Sequence, residues 1–291
     1  MEYFVEKDSI VREIWGKGDT ILFIFAGASA EFALNKAVDW LYFTGRLPAD
    51  PLGRLFSTVS YARQIVFSEK EAANQAIDSI AAIHAAVEKK RGANIPDWAY
   101  RDVLFMLIDY SIRSYELLER ELNRTEKQEI FFVFTRVGER MGIPDLPLTY
   151  EAWVGMRQIH LSQDLGHSNL SRDLYKQYRK HLGLVRYRLL LEAQKLIVPG
   201  KVGKMLSFGN LRMLQPVIGV YKLSRILKFD KILKSIILPS EYKKEINDLD
   251  VVPAAKGPCP FSGKAGGKER KKSMPRKPFA SSSIKKYAEK T

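Results

Sequence analysis

The sequence predicts an all-α fold: one multi-helix domain over residues 1–252, followed by a disordered basic tail at 253–291. Three observations carry that expectation. Apolar residues recur three and four apart through most of the chain, the period of one helix face. No stretch combines period-two alternation with a hairpin turn, and no strand–helix–strand rhythm appears. Residues that start and stop helices punctuate the chain at helix-length intervals.

The elements follow in order. The most apolar stretch, ILFIFAGASAEFAL at 21–34, reads as a buried core helix; it contains Glu31 and is too short to span a bilayer. Asp50-Pro51 places a capping residue before a proline at the first helical position, predicting a helix over 51–66. Ser68 and Glu71 have capping-box spacing and open a helix over 69–90, which Gly92 ends. A third helix follows Pro96 and runs to about 122. Thr125 and Gln128 suggest a second capping box, opening a helix that reaches Met141. A Pro-rich connector occupies 142–148, and Thr149 caps the next helix. Further helices are expected at 169–182, 184–197, 211–227 and 240–248.

Beyond Val252 the chain is rich in Gly, Pro, Ser and Lys and lacks apolar periodicity. Such a segment buries too little surface to offset its ordering entropy. It also carries most of the charge. The whole chain is +14; residues 255–291 hold 11 Lys and Arg against 2 Asp and Glu, a net of +9, leaving +5 for the rest. A tail of this kind suits contact with a membrane surface or an acidic partner. Its only aromatics are Phe261, Phe279 and Tyr287, so no specific nucleic-acid binding is expected. The single cysteine, Cys259, excludes an internal disulfide and any site built on several thiolates. The N-terminus lacks a basic segment followed by an apolar one, which points to a cytoplasmic protein.

In the helix opened at Ser68, Ala73, Ile77, Ile80, His84 and Val87 share one face. His84 therefore interrupts an apolar stripe. A buried imidazole needs partners for both nitrogens, met either by core hydrogen bonds or by a metal on one side and an acceptor on the other. On the preceding helix Arg54 and Thr58 lie four apart and side by side. They read either as a solvated pair or as polar groups lining a pocket, the arginine offering donors to an anion.

The stretch DPLGRLFSTVSYARQIVFSEKEAANQAIDSIAAIHAAVEKK resembles the signature of the MpaB/rubber-oxygenase (latex-clearing protein) catalytic domain family, with an Arg-x-x-x-Thr helix followed by an I-H-x-x-V helix. The segments IDYSIRSYELLERELNRTEKQEIF, MGIPDLPLTYEAW and LPSEYKKEINDLD extend the resemblance over roughly 20–250. The resemblance implies a globin-like helical core around haem b. It makes His84 the axial iron ligand and sets Arg54 and Thr58 in the pocket as cofactor-binding and catalytic residues. The implied reaction uses dioxygen to cleave a carbon–carbon double bond in an apolar, isoprenoid-like substrate. Some rubber-cleaving members carry a lysine immediately before the motif threonine; Ser57 stands there instead, leaving the distal iron position to water or open. The alternative reading is a non-catalytic helical haem-binding or interaction protein, docked through its basic tail.

Other candidates are fewer. Asp109 among Phe105, Ile108 and Ile112, and Glu31 in its apolar helix, read as buried carboxylates. Each would either act on a histidine or pair with an arginine, such as Arg113 for Asp109. His160, His167 and His181 lie in polar surroundings and read as surface residues.

Overall fold

The computed structural model describes residues 2–45 and 49–209, with isolated positions between 213 and 221. Its described secondary structure is helical: α1 (Ile10–Trp15), α2 (Gly18–Leu34), α3 (Val38–Phe43), α4 (Pro51–Phe67), α5 (Lys70–Arg91), α6 (Asp97–Leu118), α7 (Arg124–Arg140), α8 (Tyr150–Gln163), α9 (Asn169–Ile197) and α10 (Gly200–Met205). Only isolated bridges, Tyr3 with Glu69 and Asn35 with Leu165, resemble β-structure. The helix expected at 211–227 is described in part, and the Ile218 N–H bonds the Leu214 carbonyl at 3.0 Å in helical register. The helix at 240–248 and the tail at 253–291 lie outside the described residues. No described helix is long and apolar enough to cross a membrane.

Helix α2 is the centre of the domain. It packs against α6 on one side and α9 on another, with α1 beside it. Ile21, Ile24, Ala30, Ala33 and Leu34 are fully buried, as its largely apolar sequence requires. Gly27 allows the close approach of α6: a Cβ there would fall 2.2 Å from the Tyr110 ring. Tyr110 is itself fully buried and its hydroxyl is tied to Glu31, so the ring has little room to yield. Gly27→Ala is therefore expected to destabilise the domain by about 1–3 kcal/mol, read as a lowered urea midpoint; an unchanged midpoint would mean that α2 and α6 separate more easily than this packing implies.

Around this axis the core is aromatic. Trp15 meets Phe25 edge-on at 6.3 Å, and Trp153 meets Phe105 in the same way at 6.3 Å. Each such fully buried side chain contributes on the order of 1.5–3 kcal/mol through removal from water.

Local signals explain most element ends. Asp50 caps α4, its carboxylate accepting from the Gly53 N–H at 2.8 Å, with Pro51 in the first turn. Helix α5 is alanine-rich, ends on Lys89, Lys90 and Arg91, where cations suit the helix dipole, and stops at Gly92, whose φ of 71° is left-handed. Thr149 caps α8 by accepting from the Ala152 N–H at 3.1 Å. The two helices expected either side of residue 183 are one element with a break at Gly183, φ 71° and ψ 175°.

Two expected capping boxes are not formed. Ser68 closes α4, and the first residue before α5 is Glu69, which makes no side-chain cap. The box at α7 lies two residues earlier than the Thr125–Gln128 reading. Asn123 accepts from the Glu126 N–H and Glu126 accepts from the Asn123 N–H, both at 2.9 Å. Asparagine caps as well as threonine does, and Glu126 is further held by Arg120. Helix α6 accordingly ends at Leu118, four residues short of the expected end, to leave room for that turn.

Candidate functional site

His84 sits on α5, half-buried, facing α4 and the start of α6. The Tyr100 ring meets the imidazole edge-on at 5.3 Å and 74°. Tyr100 is held in turn by its hydroxyl, which donates to Glu88 at 3.1 Å. The Nδ1 atom of His84 is buried and has no hydrogen-bond partner. Burial and the nearby Arg54 charge lower the imidazole pKa to about 4, against a weaker opposite pull from Glu88. The ring is therefore neutral at physiological pH, the form that can donate a lone pair to a metal.

Arg54 and Thr58 are brought together as their spacing implies. The Arg54 guanidinium reaches the Ser57 and Thr58 hydroxyl oxygens at 3.5 Å each. Both hydroxyls donate to the Arg54 carbonyl, at 2.8 and 3.1 Å, which keeps them on the helix. Arg54 also acts electrostatically on His84, so α4 and α5 converge on one locality. Ile83, next to His84 on α5, is 44% exposed.

The depressed pKa has a testable consequence. An ordinary histidine titrates near 6.5. Between pH 6.5 and about 4 the unfolded chain takes up a proton at residue 84 that the folded chain refuses, so this residue's effect on stability becomes unfavourable as pH falls through that window. The His84 ring resonances are expected to stay unshifted from pH 8 to 5 in an NMR titration. A midpoint near 6.5 would contradict the burial described here.

A second polar cluster lies where α2, α6 and α8 meet. Arg157 is 3% exposed and donates to both Glu31 carboxylate oxygens, the second at 2.7 Å. It also donates to Asp109 at 2.9 and 3.1 Å, and Tyr110 donates to Glu31 at 2.8 Å. Arg113 holds the other Asp109 oxygen at 2.8 Å. The imidazole of His160 bridges this group to a further carboxylate. Its Nε2 faces Glu31 at 2.9 Å, and its Nδ1 faces Asp102 at 2.7 Å and Asp164 at 3.4 Å. Asn35 donates to the other Asp102 oxygen at 3.2 Å.

Electrostatics here is a contest between burial and pairing. Burial raises the Glu31 carboxyl, but the Arg157 charge and hydrogen bonds, with His160, outweigh it and hold the pKa near 2. Burial lowers His160, but Asp102 and Glu31 outweigh that and raise it to about 9.

Two sequence expectations are corrected here. His160 is buried, 2% exposed, because Glu31, Asp102 and Asp164 satisfy it. His181 is half-buried rather than on the surface, while His167 is exposed. Sequence reasoning missed Arg157, Asp102 and Asp164 altogether. A usable signal existed: Trp153, Arg157, His160 and Asp164 follow spacings of four, three and four, so the polar residues lie on the same face as a buried tryptophan.

The family model described as "ER-bound oxygenase mpaB/B'/Rubber oxygenase, catalytic domain" matches residues 15–218, and the chain belongs to that family. No curated protein and no solved structure matches the chain. Membership makes this an oxygenase-type catalytic domain, a class that implies dioxygen and a small-molecule substrate.

Proposed function

We propose that the protein is a haem-b-dependent oxygenase in which His84 would hold the iron. The observation that carries this reading is the buried, partnerless Nδ1 of a neutral imidazole, set beside Arg54 within the family-matched segment. An orphaned buried nitrogen costs about 1–3 kcal/mol, a cost that metal coordination at the ring offsets. Arg54, whose charge acts on His84, would offer its guanidinium to an anionic group of the cofactor. A neutral imidazole beside a guanidinium is the chemistry this reading asks for, with a globin-like arrangement as part of it.

The substrate on this reading is an apolar, isoprenoid-like alkene cleaved at its double bond. Bound haem supplies the redox-active iron for dioxygen chemistry. The chain's own residues do the rest. Ile80 and Val87, on the same face of α5 as His84, would give its surroundings an apolar character. Tyr100, fixed by Glu88, limits rotation of the His84 ring. The Arg54–Thr58 pair, whose arginine acts electrostatically on His84, would orient the polar end of the substrate. Ser57 donates to its own helix rather than outward, at the position where some rubber-cleaving members carry a lysine. The expected result is oxygen uptake by haem-loaded protein with a polyprenyl alkene, abolished in His84→Ala and reduced on the order of 10-fold or more in Arg54→Ala. Failure of the loaded protein to consume oxygen with any isoprenoid would overturn the catalytic reading.

That outcome would favour the second reading, a haem-binding protein without oxygenase activity. It is supported by the engagement of both the Ser57 and Thr58 hydroxyls with the Arg54 carbonyl, which leaves no acid group among the residues next to the imidazole on α4.

A further inference from the structure

We propose that Asp102, His160 and Asp164 form a second, separate site for a divalent first-row transition-metal ion. One donor atom from each lies within 4.8 Å of the other two. The closer spacings are more telling. The Nδ1 atom of His160 is 2.7 Å from Asp102 Oδ1 and 3.4 Å from Asp164 Oδ2. Donors around an ion with bonds of about 2.0–2.2 Å stand roughly 3 Å apart, so only small shifts bring all three onto one centre.

The outer contacts are those a metal-binding histidine requires. Glu31 lies 2.9 Å from Nε2 and accepts its proton, so an ion that displaces the Nδ1 proton meets a lone pair directed at Asp102 and Asp164. A carboxylate behind the imidazole fixes the ring and raises its basicity as a ligand. Asn35 orients Asp102 through its second oxygen, and the Asn35 side-chain carbonyl oxygen accepts from the Ala37 N–H at 2.8 Å. Glu31 is pinned by Arg157 and Tyr110 in turn.

Charge also favours a cation. Four carboxylates, Glu31, Asp102, Asp109 and Asp164, meet here, with Arg157 in the interior and Arg113 at the edge. A divalent ion that displaces the Nδ1 proton of His160 replaces the positive charge that the imidazolium supplies between these carboxylates. Lys36 stands at the rim with its amine on the Gln163 carbonyl at 2.5 Å. The side chain of Asp164 is 25% exposed, giving ions and water access from one side. An Asp-His-Asp donor set selects Mn, Fe, Co or Zn rather than calcium.

The site is distinct from His84. Tyr100 and Asp102 are two residues apart on α6, about 200° around the helix, so they face nearly opposite directions and serve different neighbours.

The test uses the tag-free full chain, stripped with a chelator and titrated with Co2+ by visible absorption and equilibrium dialysis. One Co2+ per chain is expected. Asp164→Asn should weaken binding by at least the roughly 10–100-fold that loss of an outer partner causes, and the isosteric Asp102→Asn should do the same. Circular dichroism checks that each variant is folded. His84→Ala should bind Co2+ as the wild type does. No bound Co2+, binding that survives both aspartate substitutions, or binding lost in His84→Ala would each overturn the proposal.

Discussion

Arg157→Met is expected to destabilise the domain by about 3–5 kcal/mol, a fall of roughly 10 °C in melting temperature for a domain of this size. The reason is asymmetry. Placing an arginine in the core is costly in itself, and that cost is already met in the native state. Removing it leaves Glu31, fully buried, and Asp109, nearly so, without their principal cation. Methionine fills much of the volume but donates nothing. Glu31 would then lose the pairing that holds its pKa near 2, and burial would push its carboxyl upward. The control is Arg140→Met. Arg140 makes a comparable two-pronged contact with Asp78, at 2.9 and 2.7 Å, but on the surface. There water replaces the partner and little change in stability is expected. Urea denaturation of both variants beside the wild type decides the matter. Equal, small effects would mean that water reaches the Glu31–Arg157 pair.

The fold was readable because helices announce themselves locally. Asp50-Pro51, Gly92 and Thr149 each act through backbone chemistry within three or four residues, so spacing alone locates them. The break at Gly183 belongs with them, since a φ of 71° needs a residue without a side chain. Capping was read less well. Ser68 and Thr125 have the right spacing, but Glu69 and Asn123 stand where the helices in fact begin. Competing candidates one or two residues apart cannot be ranked without the packing that sets the helix start.

The site divided along the same line. His84, Arg54 and Thr58 share two consecutive helices, and their proximity follows from periodicity together with family resemblance. The Glu31–Arg157–His160–Asp102 cluster draws on α2, α6 and α8, with up to 129 residues between partners. Nothing local in the sequence pairs such residues. Glu31 and Asp109 read as buried carboxylates needing partners, and Arg113 is a candidate for Asp109 because it is four residues away. Arg157 is not, because its partners are tertiary.

The central claim concerns His84, and its removal has the largest expected effect on function. Alanine at 84 leaves no nitrogen donor on that face of α5, where the neighbours are Ile80, Ala81 and Val87. Tyr100 cannot substitute. Burial and Glu88 raise its phenol pKa well above the ordinary value, and its hydroxyl is already committed to Glu88. A ligand exchange that preserves binding is therefore not available, and loss of haem should be close to complete. The measurement is an absorption spectrum of protein expressed with haem precursor, wild type beside His84→Ala. A Soret band in the wild type that disappears in the variant, and returns in part with added imidazole, is the predicted result. An identical band in both proteins, or none in the wild type after reconstitution, would contradict His84 as the haem ligand.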